Sequence, residues 1–442
     1  MREMKDSGIE WIDKIPLDWT VKPLKRMVKF GKGLSITKDN LIEQGVPVVS
    51  YGQIHSKTNN GTHLQDDLIR FVSETYLESN PLSLGKKGDI FFADTSEDYA
   101  GIGNAVLVDI DAPVFAGYHT VIVRPDNQSY SRYLAYLFLT DAWRSQIRSR
   151  ASGIKVFSIT QGLLKKTTVI LPPAEKSVAI TDYLDPKCGR IDAIIARQQE
   201  VIEKLKVYKL SVITEAVTKG LNPDVPMKDS GIDFIGSIPE TWRICRLRNI
   251  GTLQNGISKG GEFFGHGFPF VSYGDVYRNF SLPMQVTGLI DSSDEERRNY
   301  SVESGDIFFT RTSETIEEVG FSSVCEETIP DATFAGFLIR VRPFTDDLVS
   351  GFAKYYFRSN HHRYYLVKQM NLVTRASLGQ DLLKSMPVLV PPKDEQISIA
   401  AYLDKKCSAI ESSIEYKQRV IERLTAYKKS LIYEVVTGKK EV

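Results

Sequence analysis

The chain contains a long amphipathic segment that occurs twice, and this segment needs a partner to fold. The first copy runs from Asp185 to Gly220 and the second from Asp404 to Gly438. In each copy, apolar residues recur with the alternating three- and four-residue spacing of one helical seam. A lone helix cannot bury such a seam, so we predict that the two copies pack against each other. The seam residues are Ile191, Ile195, Ile202, Leu205, Val212 and Ala216 in the first copy and Ile410, Ile414, Ile421, Leu424, Leu431 and Val435 in the second.

The ends of the first helix are predicted from residues that commonly start and stop helices. Asp185 is placed to act as the N-cap, with Pro186 in the first turn, where its missing N–H costs nothing. Gly220 is placed to end the helix in a left-handed C-terminal cap. A helix of about 33 residues, rising about 1.5 Å per residue, would be about 50 Å long.

The rest of the chain is duplicated as well. The segments MKDSGIEWIDKIPLDW, VPVVSYGQI, GDIFFADTSE, FAGYHTVIVRP and LPPAEKSVAITDYLD return as MKDSGIDFIGSIPETW, FPFVSYGDV, GDIFFTRTSE, FAGFLIRVRP and VPPKDEQISIAAYLD. Runs such as VPVVSY, DIFFA and TVIVRP are typical of strands, and we predict helices at Tyr130 to Ser149 and Leu348 to Val367. Each half is therefore a globular region followed by a helical arm, with a Pro-rich linker at Asn222 to Pro226.

The two copies agree unevenly. The arms and the strands match well, whereas Lys32 to Asn40, Gln53 to Leu68 and Arg148 to Phe157 differ from their counterparts. A shared scaffold with dissimilar loops suggests one task performed on two different targets. Loop drift after duplication is the alternative.

Length and composition indicate an ordinary globular protein of two or more domains. Of the 442 residues, 42% are hydrophobic and 25% are charged. The sequence has no run of 18 apolar residues and no apolar core of a signal peptide, so we expect a cytoplasmic protein. The four cysteines form no CxxC pair, which argues against a zinc site or a disulfide framework.

The sequence shows no recognisable catalytic site. Gly101 to Asn104 is an isolated Gly-x-Gly segment with no equivalent in the second half, and the six histidines have no metal-binding spacing. Asp89 and Asp306, each in a GDIFF motif, are candidate catalytic carboxylates, but their position before a strand favours turn capping. We therefore predict a protein without catalytic activity and without a bound metal or cofactor.

Charge is distributed in a pattern that favours nucleic acid. The net charge is only +1, yet two equivalent windows in each half contain no acidic residue. Such windows predict a phosphate-binding face. Their basic residues are Lys22, Lys25, Arg26, Lys29, Lys32 and Lys38; Arg144, Arg148, Arg150, Lys155, Lys165 and Lys166; Arg243, Arg246, Arg248 and Lys259; and Lys354, Arg358, Arg363, Lys368 and Arg375.

Together, the repeated MKDSGI segments, the LPPAEKSVAITDYLD and VPPKDEQISIAAYLD segments and the arms resemble the specificity (S) subunits of type I restriction–modification systems. The resemblance covers the whole chain. It implies an α+β fold with a pseudo-twofold internal repeat, in which two α/β target-recognition domains are separated by two long helices that form an antiparallel coiled coil. The implied domains are residues 1–170 and 222–389 for target recognition, and 171–221 and 390–442 for the helical arms.

The resemblance also implies partners. Each target-recognition domain would bind one half of a bipartite site in double-stranded DNA, and the arms would dock two methyltransferase subunits. Those subunits would hold S-adenosylmethionine and methylate adenine, and restriction (motor–nuclease) subunits would join for cleavage. Arms of about 50 Å would separate the half-sites by roughly 14 base pairs. The alternatives are a coiled-coil adaptor that binds only proteins and an enzyme with an unrecognised site.

DNA contacts are expected from cations in the acid-free windows and from polar side chains that follow the strands. Arg311 is of special interest because its equivalent is Asp94 and arginine commonly binds guanine through two hydrogen bonds. For Tyr51, Tyr273 and the hydroxyl residues, packing and turn stabilisation are the alternative. The full set is Lys32, Lys38, Tyr51, Gln53, Thr95, Ser96, Arg148, Arg150, Lys155 and Ser158 in the first half, and Lys259, Tyr273, Asp275, Arg311, Thr312, Ser313, Arg363, Lys368 and Arg375 in the second.

Overall fold

The computed structural model describes residues 3–153, 155–313, 319–369 and 376–442. It divides into two compact units, Met1–Gln198 with Arg419–Val442, and Gln199–Gln418. Each unit therefore contains one globular region and parts of both arms. Among the described residues, no helix has the combination of length and apolar character that crossing a membrane requires.

The first unit contains two four-stranded sheets. One is antiparallel, with the order β10-β8-β12-β4, and the other has the order β6-β5-β11-β7 with β5 and β11 parallel. Aromatic and β-branched residues of β8 are wholly buried between helices and sheet. The strands are β1 (Met4–Asp6), β2 (Lys14–Pro16), β3 (Thr20–Pro23), β4 (Val28–Lys32), β5 (Val46–Val49), β6 (Arg70–Val72), β7 (Leu84–Gly85), β8 (Ile90–Ala93), β9 (Thr95–Ser96), β10 (Ala105–Leu107), β11 (Val114–Ala116), β12 (Thr120–Pro125), β13 (Phe157–Ser158) and β14 (Thr168–Leu171).

The helix predicted at Tyr130 to Ser149 is two helices, and the single-helix prediction was wrong. The chain is extended at Thr140, whose hydroxyl accepts a hydrogen bond from the backbone N–H of Trp143 and so caps a new helix. The helices that begin in this unit are α1 (Tyr51–Ile54), α2 (Thr75–Ser79), α3 (Ser131–Leu139), α4 (Asp141–Arg148), α5 (Gln161–Lys165) and α6 (Ala174–Lys219).

The second unit repeats this plan with an antiparallel sheet of order β18-β25-β21-β23 and a three-stranded sheet of order β20-β19-β24. Its strands are β15 (Met227–Asp229), β16 (Ser237–Pro239), β17 (Arg243–Arg246), β18 (Gly251–Asn255), β19 (Phe264–Val271), β20 (Gly288–Ile290), β21 (Ile307–Thr310), β22 (Thr312–Ser313), β23 (Ser322–Val324), β24 (Thr333–Phe334), β25 (Leu338–Pro343), β26 (Ala376–Ser377) and β27 (Pro387–Val390). Its helices are α7 (Tyr273–Arg278), α8 (Asp294–Asn299), α9 (Ser350–Tyr356), α10 (Asn360–Gln369), α11 (Gln380–Ser385) and α12 (Lys393–Val436).

The helix predicted at Leu348 to Val367 is likewise interrupted, between α9 and α10. In the interruption, the hydroxyl of Ser359 forms a hydrogen bond of 3.1 Å with Nδ1 of His362. Serine at such a position competes with continued helical pairing and favours a new helix start. The single-helix prediction was therefore wrong in both copies for the same kind of reason.

The arm helices begin eleven residues before the predicted starts, so the N-cap prediction for Asp185 was wrong. Each begins directly after a Pro–Pro pair, and the first helical bonds run from Ser177 N to Pro173 O and from Gln396 N to Pro392 O, both at 3.0 Å. The helix α6 has 46 residues and includes Pro186 within it, while Asp185 accepts a hydrogen bond of 2.6 Å from the Tyr136 hydroxyl.

The predicted C-terminal cap of the first arm is confirmed. Gly220 has a φ of +77°, and its N–H donates to the carbonyl of Ala216 at 3.2 Å. A residue with a Cβ would be strained in this left-handed conformation, which explains why glycine ends the helix.

Within each unit, the N-terminal part of one arm packs against the C-terminal part of the other. Leu184 and Val435 share the core of the first unit, and Val217 and Leu403 share the core of the second. The predicted seam residues are buried or half-buried in both arms. The predicted fold class, with paired long helices in an internal repeat, is confirmed.

Equivalent ion pairs also join the arms. Lys428 Nζ lies 2.6 Å from Asp192 Oδ2 in the first unit, and Lys209 pairs with Glu411 in the second. Lys428 and Lys209 are counterparts in the repeat, as are Asp192 and Glu411. The same two helix positions are therefore paired in both units.

The buried carboxylates of the two GDIFF motifs have structural roles, as the turn-capping prediction states. Asp89 accepts hydrogen bonds from the backbone N–H of Lys86 at 2.9 Å and from the guanidinium of Arg124 at 2.8 Å. Asp306 accepts from Glu303 N at 2.8 Å and from Arg342 at 2.6 Å. Each carboxylate thus ties a turn to an interior strand of a four-stranded sheet.

Candidate nucleic-acid interface

Several strand ends of the first unit meet around one open cleft. The strand β4 ends at Lys32, and the short strands β9 and β13 pair through Thr95 and Ser158. The turn between β11 and β12 carries Tyr118 and His119 to the same place. The cleft has a volume of about 580 Å³ and is lined by Lys32, Asp94, Tyr118, His119, Ser158 and Gln161 among others.

A glycine allows the backbone to close on this side of the cleft. Leu34 N donates to Ala116 O at 2.8 Å, which brings the end of β4 directly against the turn after β11. A Cβ at Gly33 would collide with the Gly117 carbonyl and with the Thr120 hydroxyl. Only glycine fits this close approach of two chain segments.

Asp94, His119 and two tyrosines form a connected cluster at the cleft. His119 Nδ1 lies 3.1 Å from Asp94 Oδ1, and the His119 ring centroid lies 5.3 Å from that of Tyr51. Tyr118 packs edge-on against Tyr51 at 5.6 Å, and burial raises the pKa of Tyr118 above its ordinary value. His119 has a φ of +54°, a conformation that is uncommon outside glycine and is often retained at functional sites.

The predicted DNA-binding residues of the first unit fall into two groups. Exposed side chains are found at Lys32, Lys38, Arg150, Lys155 and Ser158, of which Lys32 and Ser158 line the cleft. Tyr51 is half-buried beside the cleft.

Residues of the second group form hydrogen bonds within the protein. The side-chain oxygen of Gln53 accepts from Ser50 N at 3.2 Å, and the hydroxyl of buried Ser96 donates to Asp98 O at 2.7 Å. The carbonyl of Thr95 lies 2.7 Å from His55 Nε2. Arg148 donates to Asp141 Oδ1 at 2.7 Å, although its window contains no acid in sequence. For Gln53, Ser96 and Arg148, the structure therefore shows roles in holding turns and helices.

Further exposed cations lie on β3, β4 and α5 and in the short segments that flank them. Gln161 Nε2 donates to Gly31 O at 3.0 Å, which fixes α5 beside β4, and Lys165 Nζ lies 5.4 Å from the Phe30 ring centroid. We call these exposed cations the basic belt. Within the described ranges, none of its members has an ion pair. The members are Lys22, Lys25, Arg26, Lys29, Lys165 and Lys166.

Arg311 occupies in the second unit the backbone position that Asp94 occupies in the first. Asp94 N donates to His119 O at 3.0 Å, and Ile159 N donates to Asp94 O at 2.7 Å. The same two bonds hold Arg311, from its N–H to Phe337 O at 2.8 Å and from Leu378 N to its carbonyl at 2.7 Å. In the part of the chain that the structure describes, the Arg311 guanidinium has no hydrogen-bond partner.

Several cations of the second-unit basic windows pair with acids of the same unit, whereas Arg248 and Lys368 are exposed, so the phosphate-binding face of this unit stays a prediction. Lys259 forms an ion pair with Glu296 at 2.7 Å, and Lys354 lies 2.9 Å from Asp404 and 3.1 Å from Glu326. These acids lie outside the acid-free windows in sequence and meet the lysines only in the folded chain.

Arginines of these windows are also used inside the fold. The half-buried Arg358 donates to the carbonyls of Ser322, Val276, Tyr277 and Asn279, and desolvation lowers its pKa to about 10. Arg144 of the first unit is similar, because it donates to Phe138 O and burial lowers its pKa to about 10. Arg363 donates to the Val319 carbonyl and lies over the Phe321 ring.

The remaining predicted DNA-binding residues of the second unit differ in exposure and in the contacts that their side chains make within the protein. Asp275 accepts from Ser272 N at 2.8 Å and caps α7, so it has a structural role. Tyr273 stacks on Tyr277 with centroids 5.8 Å apart, Thr312 is half-buried, and Lys368 is exposed. Arg375 and the side chain of Ser313 lie outside the described residues.

Sequence reasoning missed the turn residues Tyr118 and His119 and the carboxylate of Asp94. Their signal was present, because the otherwise matching segments FAGYHTVIVRP and FAGFLIRVRP differ at these turn positions. His119 is one of the six histidines without metal-binding spacing, and the described residues contain no group of three or more metal-ligating side chains.

Comparisons with known proteins identify relatives over nearly the whole chain. The family model described as type I restriction modification DNA specificity domain matches residues 16–204 and 239–423. The type I restriction enzyme EcoKI specificity subunit of Escherichia coli strain K12 is 21% identical, covering 96% of this chain and 90% of that protein. The StySPI specificity subunit of Salmonella potsdam is 20% identical, covering 96% and 90%.

One solved structure has the same fold along its full length. It is a chain from work on complex assembly and conformational transition of a type I R-M system. The two chains are 17% identical and superpose with a TM-score of 0.71, covering 96% of this chain and 99% of that one.

Proposed function

Because this chain belongs to the type I restriction modification DNA specificity family and carries two copies of its domain, we propose that each unit binds one half of a bipartite site in double-stranded DNA. The arms dock two methyltransferase subunits, which hold S-adenosylmethionine and methylate adenine. Restriction subunits join this complex for cleavage. The chain itself supplies sequence recognition and assembly, and it performs no catalytic step.

The observation that carries this proposal is the difference between the two units at equivalent positions. The same backbone frame presents Asp94 and His119 in one unit and Arg311 and Phe337 in the other. Acidic, basic and aromatic side chains recognise different base edges. Two copies of one frame with different side chains at these equivalent positions are suited to two different half-sites.

The basic belt supports a duplex partner. Exposed lysines bind phosphates without regard to sequence and release counterions on binding. Gln161 lines the cleft and lies on the same short helix as Lys165, so one DNA segment could contact phosphate-binding and base-reading side chains together.

Exposed side chains on the arms support a pair of identical protein partners. Tyr208 of α6 is 53% exposed, and its repeat counterpart Tyr427 of α12 is 55% exposed. Tyrosine is enriched in protein interfaces, where its ring packs and its hydroxyl remains hydrogen-bonded. Each arm thus offers an equivalent aromatic contact, as expected for two copies of one methyltransferase subunit.

A gel-shift experiment tests DNA binding against the alternative of a coiled-coil adaptor that binds only proteins. The chain is mixed with its methyltransferase subunits and duplex DNA at about 50 and 200 mM salt. A DNA-binding complex should shift the duplex and lose affinity steeply between these concentrations. An adaptor would bind the methyltransferase and leave the duplex unshifted at both. The methyltransferase subunits without this chain are the matched control.

The arms should also set the distance between the half-sites. Removing seven residues from each arm shortens it by about 10 Å, which corresponds to about three base pairs. We expect the methylated site to keep both half-sites and to have a shorter spacer. Altered bases with an unchanged spacer would assign base recognition to the arms and contradict this division of roles.

A further inference from the structure

The cleft of the first unit contains a carboxylate. This is unexpected in a DNA-binding surface, because the phosphates of DNA attract cations and repel carboxylates. Asp94 lines the cleft together with Lys32 and Ser158, and its side chain is 34% exposed. A carboxylate repels phosphate, so its partner in bound DNA must be a hydrogen-bond donor. Such donors are found on the edges of bases.

Only part of the Asp94 hydrogen-bonding capacity is used within the protein. Oδ1 pairs with His119 Nδ1, whereas Oδ2 has no hydrogen-bond partner among the residues that the structure describes. A carboxylate can accept several hydrogen bonds, so Asp94 can bind a further donor in the cleft.

The surroundings hold this carboxylate in one orientation. Both backbone groups of Asp94 are hydrogen-bonded to neighbouring segments, and its partner His119 is fixed by contact with Tyr51. His119 also has a left-handed backbone conformation, which persists only where surrounding contacts favour it. The carboxylate is therefore preorganised for a donor that approaches through the cleft.

We infer that Asp94 accepts a hydrogen bond from the N4 amino group of a cytosine in the first half-site, with His119 as its positioning residue. This inference rests on the proposed function. In the major groove, cytosine N4 and adenine N6 are the exocyclic amino donors. Adenine also presents the N7 acceptor beside its amino group, and N7 would face the second carboxylate oxygen. Cytosine has no such acceptor there, which favours cytosine.

The test is the methylation pattern of cells that express the complete complex of this chain and its methyltransferase. With the wild-type chain, one position of the first half-site should be cytosine. The Asp94→Ala variant should methylate sites with any base at that position, with discrimination reduced roughly 5- to 150-fold. The second half-site should be unchanged, which also shows that the variant complex is folded.

Two further variants separate base contact from support of the fold. Asp94→Asn keeps the side-chain size, and asparagine pairs with adenine N6 and N7, so the preferred base should change from cytosine to adenine. His119→Ala should weaken discrimination at the same position. His119→Asn should restore it, because asparagine tolerates a left-handed backbone and can donate to Asp94.

The outcomes distinguish this inference from the proposed function. If the wild-type complex shows no specific methylated sequence, the proposed function fails. If it shows a specific bipartite sequence that Asp94→Ala and Asp94→Asn leave unchanged, only the inference about Asp94 is overturned. A relaxed position that is adenine in the wild type would contradict the assignment to cytosine.

Discussion

The two units share a backbone plan and differ in the side chains that fill it. Trp143 and His362 are counterparts in the repeat, and both are buried beside equivalent phenylalanines. Trp143 packs on Phe138 with centroids 4.2 Å apart, while His362 packs on Tyr356 at 4.3 Å. A titratable ring thus occupies in one unit the place of an inert ring in the other.

The two units also differ in the charged residues at their surfaces. The basic belt of the first unit consists of exposed cations, whereas Lys259 and Lys354 of the second unit pair with acids and the half-buried Arg358 donates to backbone carbonyls. The comparison shows that the two units share their turns and the ion pairs of the buried GDIFF aspartates. Other charged residues differ between the units in position and in partner. Function should therefore diverge at positions such as Asp94 and Arg311, and stability should depend on the shared frame.

The largest effect is expected from a charge placed in the arm core. Leu184 and Leu403 are repeat counterparts, and both side chains are fully buried. Replacing either with Asp buries an unpaired charge and should cost about 3–5 kcal/mol of unfolding free energy, with loss of methyltransferase binding. Denaturant unfolding and co-purification with the methyltransferase measure the two effects.

Asp substitutions at two other arm positions show how the loss of stability depends on burial. Leu205 is half-buried, so Leu205→Asp should cost less than Leu184→Asp. Val207 is 71% exposed, and Val207→Asp should change stability by no more than about 0.5 kcal/mol. Equal destabilisation by all of these variants would contradict the assignment of the buried seam.

Acid should destabilise the protein through His362. Burial lowers the pKa of His362 to about 3, from an ordinary value of 6.5. The unfolded state therefore binds this proton more readily, and stability should fall by about 1.4 kcal/mol per pH unit below about pH 6.5. Between pH 7 and pH 5 the loss from this residue should be about 2 kcal/mol.

Urea unfolding at the two pH values checks this expectation. His362→Gln should lose that part of the pH dependence, whatever its stability at pH 7. His266→Gln, which changes an exposed histidine of the same unit, is the matched control. A wild-type pH dependence in His362→Gln would show that the buried ring is not the acid-sensitive group.

Arg311→Ala tests the difference between the two units at the position that Asp94 occupies in the first. If Arg311 binds a base in the second half-site, its loss should weaken binding of the correct site by about 1–3 kcal/mol and relax one position of that half-site only. Competition gel shifts with single-base variants of the site measure this. Equal weakening on all sequences would make Arg311 a phosphate contact, and unchanged binding would place it outside the interface.

The smallest effect is expected from the repeated arm ion pairs. Lys428→Ala and Lys209→Ala each remove a partly exposed pair, so each should cost only about 0.2–1 kcal/mol, and less at high salt. Double-mutant cycles with Asp192→Ala and Glu411→Ala isolate the pair energies. Coupling energies that differ widely between the two units would contradict the expectation that the two arm ion pairs are equivalent.

Local patterns predicted the repeated architecture well. The three- and four-residue spacing identified the arm seam, and the Gly220 cap was predicted correctly because its left-handed conformation is a local requirement. The helix starts were missed because Asp185 resembles an N-cap, although the Pro–Pro pairs determine where α6 and α12 begin.

The candidate site was less predictable because it depends on contacts between distant segments. Lys259 meets Glu296 and Asp94 meets His119 only after the chain folds. Acid-free stretches in sequence therefore overestimated the number of free cations in the second unit. The comparison of the two copies did single out Arg311, because its counterpart Asp94 stands in an otherwise matching segment.

The central claim is that unlike side chains at equivalent positions of one repeated frame recognise two unlike DNA half-sites. Genome-wide mapping of methylated adenines in a host that expresses this chain with its methyltransferase tests this most directly. The account predicts one bipartite sequence, with two different specified halves separated by a spacer of constant length and unspecified bases. Methylation without sequence preference, or at one uninterrupted sequence, would contradict it.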